Sequence, residues 1–148
     1  MSDSVRVLLI SGSTREGSAN TAALVTAAAL APRRVTPVVY GGLAELPAFN
    51  PDHDGDLLPA AAAALRGEIA AAAAVLFCTP EYAGTLPGSL KNLLDWTVGG
   101  GELNEKPAAW LNVANPGRGG GPTVSDPRFT ATVADIWGAV LGHLDAAS

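Results

Sequence analysis

The chain has a single cysteine, Cys78, so neither an internal disulfide framework nor a site of several thiolates is open to it within one chain. That count suits a reducing compartment. Aromatic residues make up only 5% of the sequence and charged residues 16%, with 9 Lys and Arg against 14 Asp and Glu. The net charge of −5, with no basic run and no basic–aromatic stripe, argues against nucleic acid as a partner. Long apolar runs are missing too. The longest, from Leu57 to Cys78, is broken by Pro59, Arg66 and Glu68, and reads as helix then strand, not as a membrane span. The opening "MSDSVR" lacks the basic start and apolar core of a secretory leader. These absences point to a soluble, cytoplasmic protein with no membrane partner. Metal-ligand spacing is also lacking: His53 lies between Asp52 and Asp54, but nothing elsewhere repeats the pattern, so this stretch reads as a solvated loop.

What the chain does have is alanine, within an apolar fraction of 48%. A length of 148 residues suits one domain over 1–148, burying roughly 70% of the extended-chain surface. Its core is expected to be built from small side chains. Strand and helix signals alternate, the pattern of a parallel sheet covered on both faces. The first strand spans about Val5 to Ile10, a continuous apolar run typical of burial on both sides. A helix follows over Ala19 to Leu30, ended by Pro32. The second strand, Arg34 to Tyr40, contains Pro37, which cannot donate to a ladder and so belongs at a sheet edge.

An irregular stretch runs from Gly41 to Gly55, followed by a helix over Pro59 to Ala72 with Leu65 and Ile69 on one face. The third strand is Ala74 to Cys78, and a helix beginning near Pro87 carries Leu90, Leu93 and Leu94 at helical spacing. The fourth strand is Ala108 to Ala114. The final helix opens with Asp126 as cap and Pro127 at its first position. Its apolar stripe is Phe129, Val133, Ile136, Trp137, Val140, Leu141 and Leu144.

In open parallel sheets, ligands bind beyond the carboxyl ends of the strands. The loops after the first, third and fourth strands are the unusual ones here. The first, "SGSTREGSAN" (Ser11 to Asn20), precedes a helix, whose start offers unpaired N–H groups and about half a positive charge. Ser11, Ser13, Thr14 and Ser18 add hydroxyls, Asn20 an amide and Arg15 a bidentate cation, while Gly12 and Gly17 permit close backbone approach. This composition suits a phosphate seat; it also suits a capped turn. It is neither G-x-G-x-x-G nor a P-loop, which argues against ATP chemistry.

With this loop after the first strand and "TPEYAGTLPGSLKNLLDW" (Thr79 to Trp96) after the third, the chain resembles the NADPH-dependent FMN reductase family of flavodoxin-like proteins. The second motif is the more specific, and "LAELPAFNPDHD" (Leu43 to Asp54) resembles that family's second connecting loop. Together these cover about Val5 to Ala114. The resemblance implies a three-layer α/β/α sandwich with a parallel sheet, and FMN and NADPH as cofactors. It implies an FMN phosphate on Ser11, Ser13, Arg15, Ser18, Asn20 and Thr21, beside the hydroxyl of Thr14. It further implies a flavin ring along Pro80, Glu81, Tyr82, Ala83 and Gly84, largely through backbone N–H groups. A third loop, Asn115, Pro116, Gly117, Arg118, Gly119 and Gly120, is implied to lie near the other end of the flavin. Arg118 there reads equally as a contact for the phosphates of NADPH or an acidic substrate, or as a solvated charge.

Two departures from the family stand out. Ala83 occupies a position where many members have asparagine. In addition, the family follows its fourth strand with a helix, a fifth strand and a last helix, whereas here the last-helix sequence follows "GRGGGP" directly. A parallel crossover needs a dozen or more residues, and none fits between Asn115 and Ser125. One helix and the fifth strand are therefore expected to be absent, leaving four strands in the order 2-1-3-4. The fourth strand then becomes an exposed edge, a liability that a second copy of the chain would cover in a homodimer or homotetramer.

The activity implied is hydride transfer from NAD(P)H through FMN to a small-molecule acceptor such as a quinone, a flavin or an azo dye. The chemistry of such a step belongs to the flavin, so no catalytic acid or base is expected. A flavin-binding or electron-carrier module, and a truncated homologue without turnover, are the alternatives. The serine–arginine first loop favours the reductase. Among single residues, Glu81 reads as orienting its loop, and Tyr82 as stacking near the ring or packing within its turn. Cys78 reads as an inert small hydrophobe, His143 as a cation favoured near a helix end, and Trp110 and Trp137 as core residues.

Overall fold

The computed structural model describes residues 4–113 and 127–148. Four parallel strands form one sheet in the order β2-β1-β3-β4, the order expected. They are β1 (Val5–Ser11), β2 (Val35–Tyr40), β3 (Ala74–Cys78) and β4 (Ala108–Trp110). The helices are α1 (Ala19–Ala29), α2 (Ala60–Ala70), α3 (Gly88–Val98) and α4 (Pro127–Ala146). Short 3-10 turns at Leu43–Glu45 and Pro51–His53 punctuate the irregular stretch after β2.

Strands β1 and β3 are the interior pair and carry the longest apolar runs. Val7 to Ile10 and Ala74 to Cys78 are all buried. Because side chains alternate along a strand, each run feeds both faces of the sheet. Val7, Leu9, Ala74, Leu76 and Cys78 face α1 and α4, where Ala23, Leu24, Ala27 and Trp137 meet them. Leu8, Ile10, Val75 and Phe77 face α2 and α3, packing on Leu65, Ile69, Leu90, Leu93 and Trp96. Each fully buried Leu, Ile or Phe contributes about 1.5–3 kcal/mol relative to exposure, so these two layers dominate stability. The expectation of a small-residue core holds only on the α1 side. There the alanines bring helix and sheet close together, and Trp137 fills the remaining space, its Nε1 donating to Ala27 O at 3.1 Å. The stripe read along α4 is the one that packs.

Pro37 pairs only with Val7 of β1, so its missing N–H lies at the outer edge. At the other edge, β4 is shorter than expected, and Ala114 lies outside the described residues. Leu111 N still donates to Phe77 O at 2.8 Å, continuing the ladder by one bond. The capping role expected of Asp126 also falls outside the described residues. On the α2–α3 side, polar ties fix the long connections. Arg66 bonds Asp54 Oδ1 at 2.6 Å and Trp96 O at 2.7 Å, and Asn92 accepts from Phe49 N and donates to Pro47 O. These ties hold the middle and end of α3 against α2 and the connection that follows β2.

Candidate functional site

The loops after β1 and β3 meet at the carboxyl end of the sheet. Ser11 pairs with Cys78 in register, and Gly12 N donates to Cys78 O at 2.9 Å. Ser89 Oγ at the start of α3 returns a bond to Gly12 O at 3.3 Å. Gly12 is required by this closeness: a Cβ there would lie 2.6 Å from Thr79 Cβ and 3.1 Å from Leu90 Cδ2.

Within the first loop, polar side chains organise the backbone. The buried Ser11 Oγ accepts from Thr21 Oγ1 at 2.9 Å and from Ser13 N at 3.2 Å. Ser13 Oγ in turn accepts from Arg15 N, and Ser18, the cap of α1, accepts from Asn20 N at 3.2 Å. A capped helix still leaves first-turn donors open. The N–H groups of Thr14, Ser18 and Ala19 have no protein acceptor among the described residues. Thr14 and Arg15 are exposed. The loop is a capped turn, with backbone donors left open beside the start of α1.

The loop after β3 is built by its backbone instead. Tyr82 N donates to Thr85 O at 3.0 Å and Thr85 N to Tyr82 O at 3.1 Å, closing a two-residue turn. Its central residues, Ala83 and Gly84, have φ of 52° and 75°. Positive φ at both positions is the signature of a type I′ turn, for which Asn-Gly is the preferred pair. This gives asparagine at position 83 a backbone rationale that does not require contact with a ligand.

Between the loops and the end of β4 lies a cleft of about 980 Å³. It is lined by Ala19 and Asn20 from the start of α1, by Thr79, Pro80, Glu81, Gly84, Thr85 and Leu86, and by Trp110, Leu111, Asn112 and Val113. Of the sequence-expected residues, the cleft brings together Asn20, Pro80, Glu81 and Gly84. Ser11, Ser13, Thr14, Arg15, Ser18 and Thr21 belong to the adjoining loop network and do not line it, and neither do Tyr82 and Ala83. Tyr82 is 56% exposed. The third expected segment, Asn115 to Gly120 with Arg118, lies outside the described residues.

Trp110 corrects a sequence expectation. It is 51% exposed and lines the cleft, instead of sitting in the core. Being paired with Phe77 at the sheet edge, it stacks one face of its indole on that buried ring, with centroids 4.7 Å apart and planes 22° apart. No strand flanks β4 on its outer side among the described residues. The edge position of this strand was expected; the exposure of its tryptophan follows from that position and was not drawn from it.

Cys78 is fully buried, and burial pushes its thiol up to about 12, so it is protonated at neutral pH. Its Sγ–H donates to Asn20 Oδ1 at 3.3 Å. Among the described residues no group of His, Cys, Asp and Glu could hold a metal, and no helix is long and apolar enough to cross a membrane.

A doubly wound parallel sheet in this order, with its cleft at the carboxyl ends of β1, β3 and β4, defines a flavodoxin-like α/β protein. The fold is shared with FerB, a flavoenzyme NAD(P)H:(acceptor) oxidoreductase of Paracoccus denitrificans. The two superpose with a TM-score of 0.77 at 21% identity over 96% of this chain and 98% of that one. The sequence profile of the family described as NADPH-dependent FMN reductase matches residues 5–137, and the chain belongs to that family. An NAD(P)H-dependent FMN reductase of Pseudomonas aeruginosa is 42% identical over 122 residues, 81% of this chain and 65% of that protein. A quinone reductase of Escherichia coli is 34% identical over 97 residues, 65% of this chain and 52% of that protein. This chain thus spans less than two thirds of the length of these relatives.

Proposed function

We propose that the chain is an FMN-dependent NAD(P)H oxidoreductase that passes hydride to a quinone, a flavin or a similar small acceptor. The observation that carries this reading is the junction of the two loops. One contributes free N–H and amide donors at a helix start; the other contributes a rigid backbone wall; and both open on one cleft large enough for a planar ligand. These residues fit a flavin nucleotide. The Ser11–Asn20 loop would hold the phosphate, with Arg15 free to pair with it. Thr79 to Thr85 would supply backbone groups along the ring, and Trp110 and Leu111 an apolar wall that excludes water. Bound FMN would supply the two-electron chemistry; the chain's own part is binding, orientation and exclusion of solvent. Glu81 lines the cleft with no basic partner among the described residues, which favours an orienting role over proton transfer.

The same reading takes residues 1–148 as one flavin-binding domain acting in the cytoplasm. Self-association is part of it: the open edge of β4, with exposed Trp110, suits coverage by a second copy in a homodimer or homotetramer. A stable monomer by light scattering at micromolar concentration would contradict that part.

Activity is tested by adding FMN, removing the excess, and titrating NADPH without oxygen. Retention of the flavin band near about 450 nm, a property of the cofactor itself, with bleaching by NADPH and recovery on adding a quinone, is the expected result. A band that is retained but resists NADPH would support an electron-carrier module instead. Loss of flavin on removing the excess would contradict both.

A further inference from the structure

We infer that Cys78 is a positioning residue for the cleft: its thiol holds the Asn20 side-chain amide with the nitrogen free to donate to a phosphate oxygen of the bound nucleotide. This rests on the flavin-nucleotide reading above. The sequence offers no hint of it, since the two residues are 58 positions apart.

A thiol is a weak donor at S–H and a weak acceptor at sulfur, whereas an asparagine amide accepts at oxygen and donates at nitrogen. As the two groups lie, the Sγ–H of Cys78 donates to the oxygen of Asn20, which holds the amide in one of its two flip states. The nitrogen is then left with no protein acceptor among the described residues, on a side chain that lines the cleft. In the opposite flip state a carbonyl oxygen would take its place, and that partial negative charge would repel an anion. The choice between the two states is a choice of sign.

The thiol is well suited to this task. Cys78 ends β3, paired with Ser11 of β1, and its carbonyl oxygen accepts from Gly12 N at 2.9 Å. One residue thereby anchors the first loop's backbone and orients the amide at that loop's end. Complete burial keeps the sulfur from exchanging its partner for water. The Asn20 backbone is fixed separately by the Ser18 cap, so Cys78 acts on the side chain alone.

The test compares FMN affinity, by quenching of flavin fluorescence, in wild type, Cys78→Ala, Cys78→Ser, Asn20→Ala and the Cys78→Ala/Asn20→Ala double variant. Infrared spectra of the flavin-free proteins report the S–H stretch. Cys78→Ala is expected to weaken FMN binding roughly three- to tenfold, the scale of one misdirected hydrogen bond. Cys78→Ser, which keeps a donor, is expected to restore it. In the Asn20→Ala background, Cys78→Ala is expected to change affinity by less than about twofold, because the two act through one contact. The S–H band should shift in Asn20→Ala. Unchanged affinity in Cys78→Ala, failure of serine to rescue, or an equal loss in both backgrounds would each overturn the assignment and leave Cys78 a packing residue. A wild type that binds no FMN would remove the flavin reading and this assignment together. The three former results would remove the assignment alone.

Discussion

The two loops that rim the cleft are built by different means. Ser11 to Asn20 is organised by side chains: hydroxyls of Ser11, Ser13, Thr21 and Ser18 bond its backbone and one another. Tyr82 to Thr85 is organised by backbone, two reciprocal N–H···O bonds around two left-handed residues. The first loop should therefore be sensitive to side-chain chemistry, and the second to conformation alone. They share one joint, where Gly12 and Cys78 meet.

The largest expected effect lies at that joint and depends on pH. The Cys78 thiol is held at about 12 against its usual 9.0. A group whose folded value is raised stabilises fully below the unfolded value and loses that contribution as pH rises through the folded one. Stability should thus fall between pH 9 and 12, by up to about 4 kcal/mol from this group. Urea melts across that range should show a shallower decline for Cys78→Ala than for wild type. An identical slope would mean that the thiol is not so deeply desolvated.

Gly12→Ala comes next. With Thr79 Cβ 2.6 Å from the added carbon, overpacking should cost about 1–3 kcal/mol in urea unfolding. Both loops should suffer, so FMN binding should weaken as well. Ser11→Ala then separates the loops. It strips the shared acceptor from Thr21 and Ser13, at about 1–2 kcal/mol, and should lower FMN affinity.

Smaller, and opposite in sign, is the second loop. Ala83→Gly or Ala83→Asn relieves a left-handed alanine and should stabilise by about 0.5–1 kcal/mol while leaving FMN affinity unchanged. A clear change in affinity there would show that the side chain at 83 matters to the ligand and would break the contrast between the loops. Trp110→Leu is read by fluorescence instead. Bound FMN should become more fluorescent as its nearby indole is removed, with affinity altered by less than about tenfold. Unchanged fluorescence would place the ring away from this wall.

The elements themselves were legible because their signals were strong. Ala74–Cys78 is a pure apolar run and occupies the residues expected of it, and Pro37 marked β2 as an edge. The stripe on α4 packs as written. The first loop's hydroxyls were read as ligand donors or turn formers, and their bonding to the loop backbone and to Thr21 emerges only in the fold. The missed features depend on proximity across the fold. The edge position of β4 was expected, but that Trp110 lies half-exposed on the cleft, stacked on Phe77, depends on which face of that edge strand its indole takes. The Cys78–Asn20 bond joins two elements brought together only by the register of β1 and β3. The role of position 83 emerges from a φ angle, which a side-chain reading of Ala-Gly does not suggest.

The most direct measurement is calorimetric titration of the flavin-free protein with FMN and, separately, with riboflavin, which has the same ring and lacks the phosphate. If Ser11 to Asn20 seats a phosphate, FMN should bind at least roughly a hundredfold tighter, as charge-assisted bonds to an anion require, and added salt should narrow the gap. Equal affinities for the two would contradict the account, leaving that loop a capped turn beside a cleft that serves another purpose.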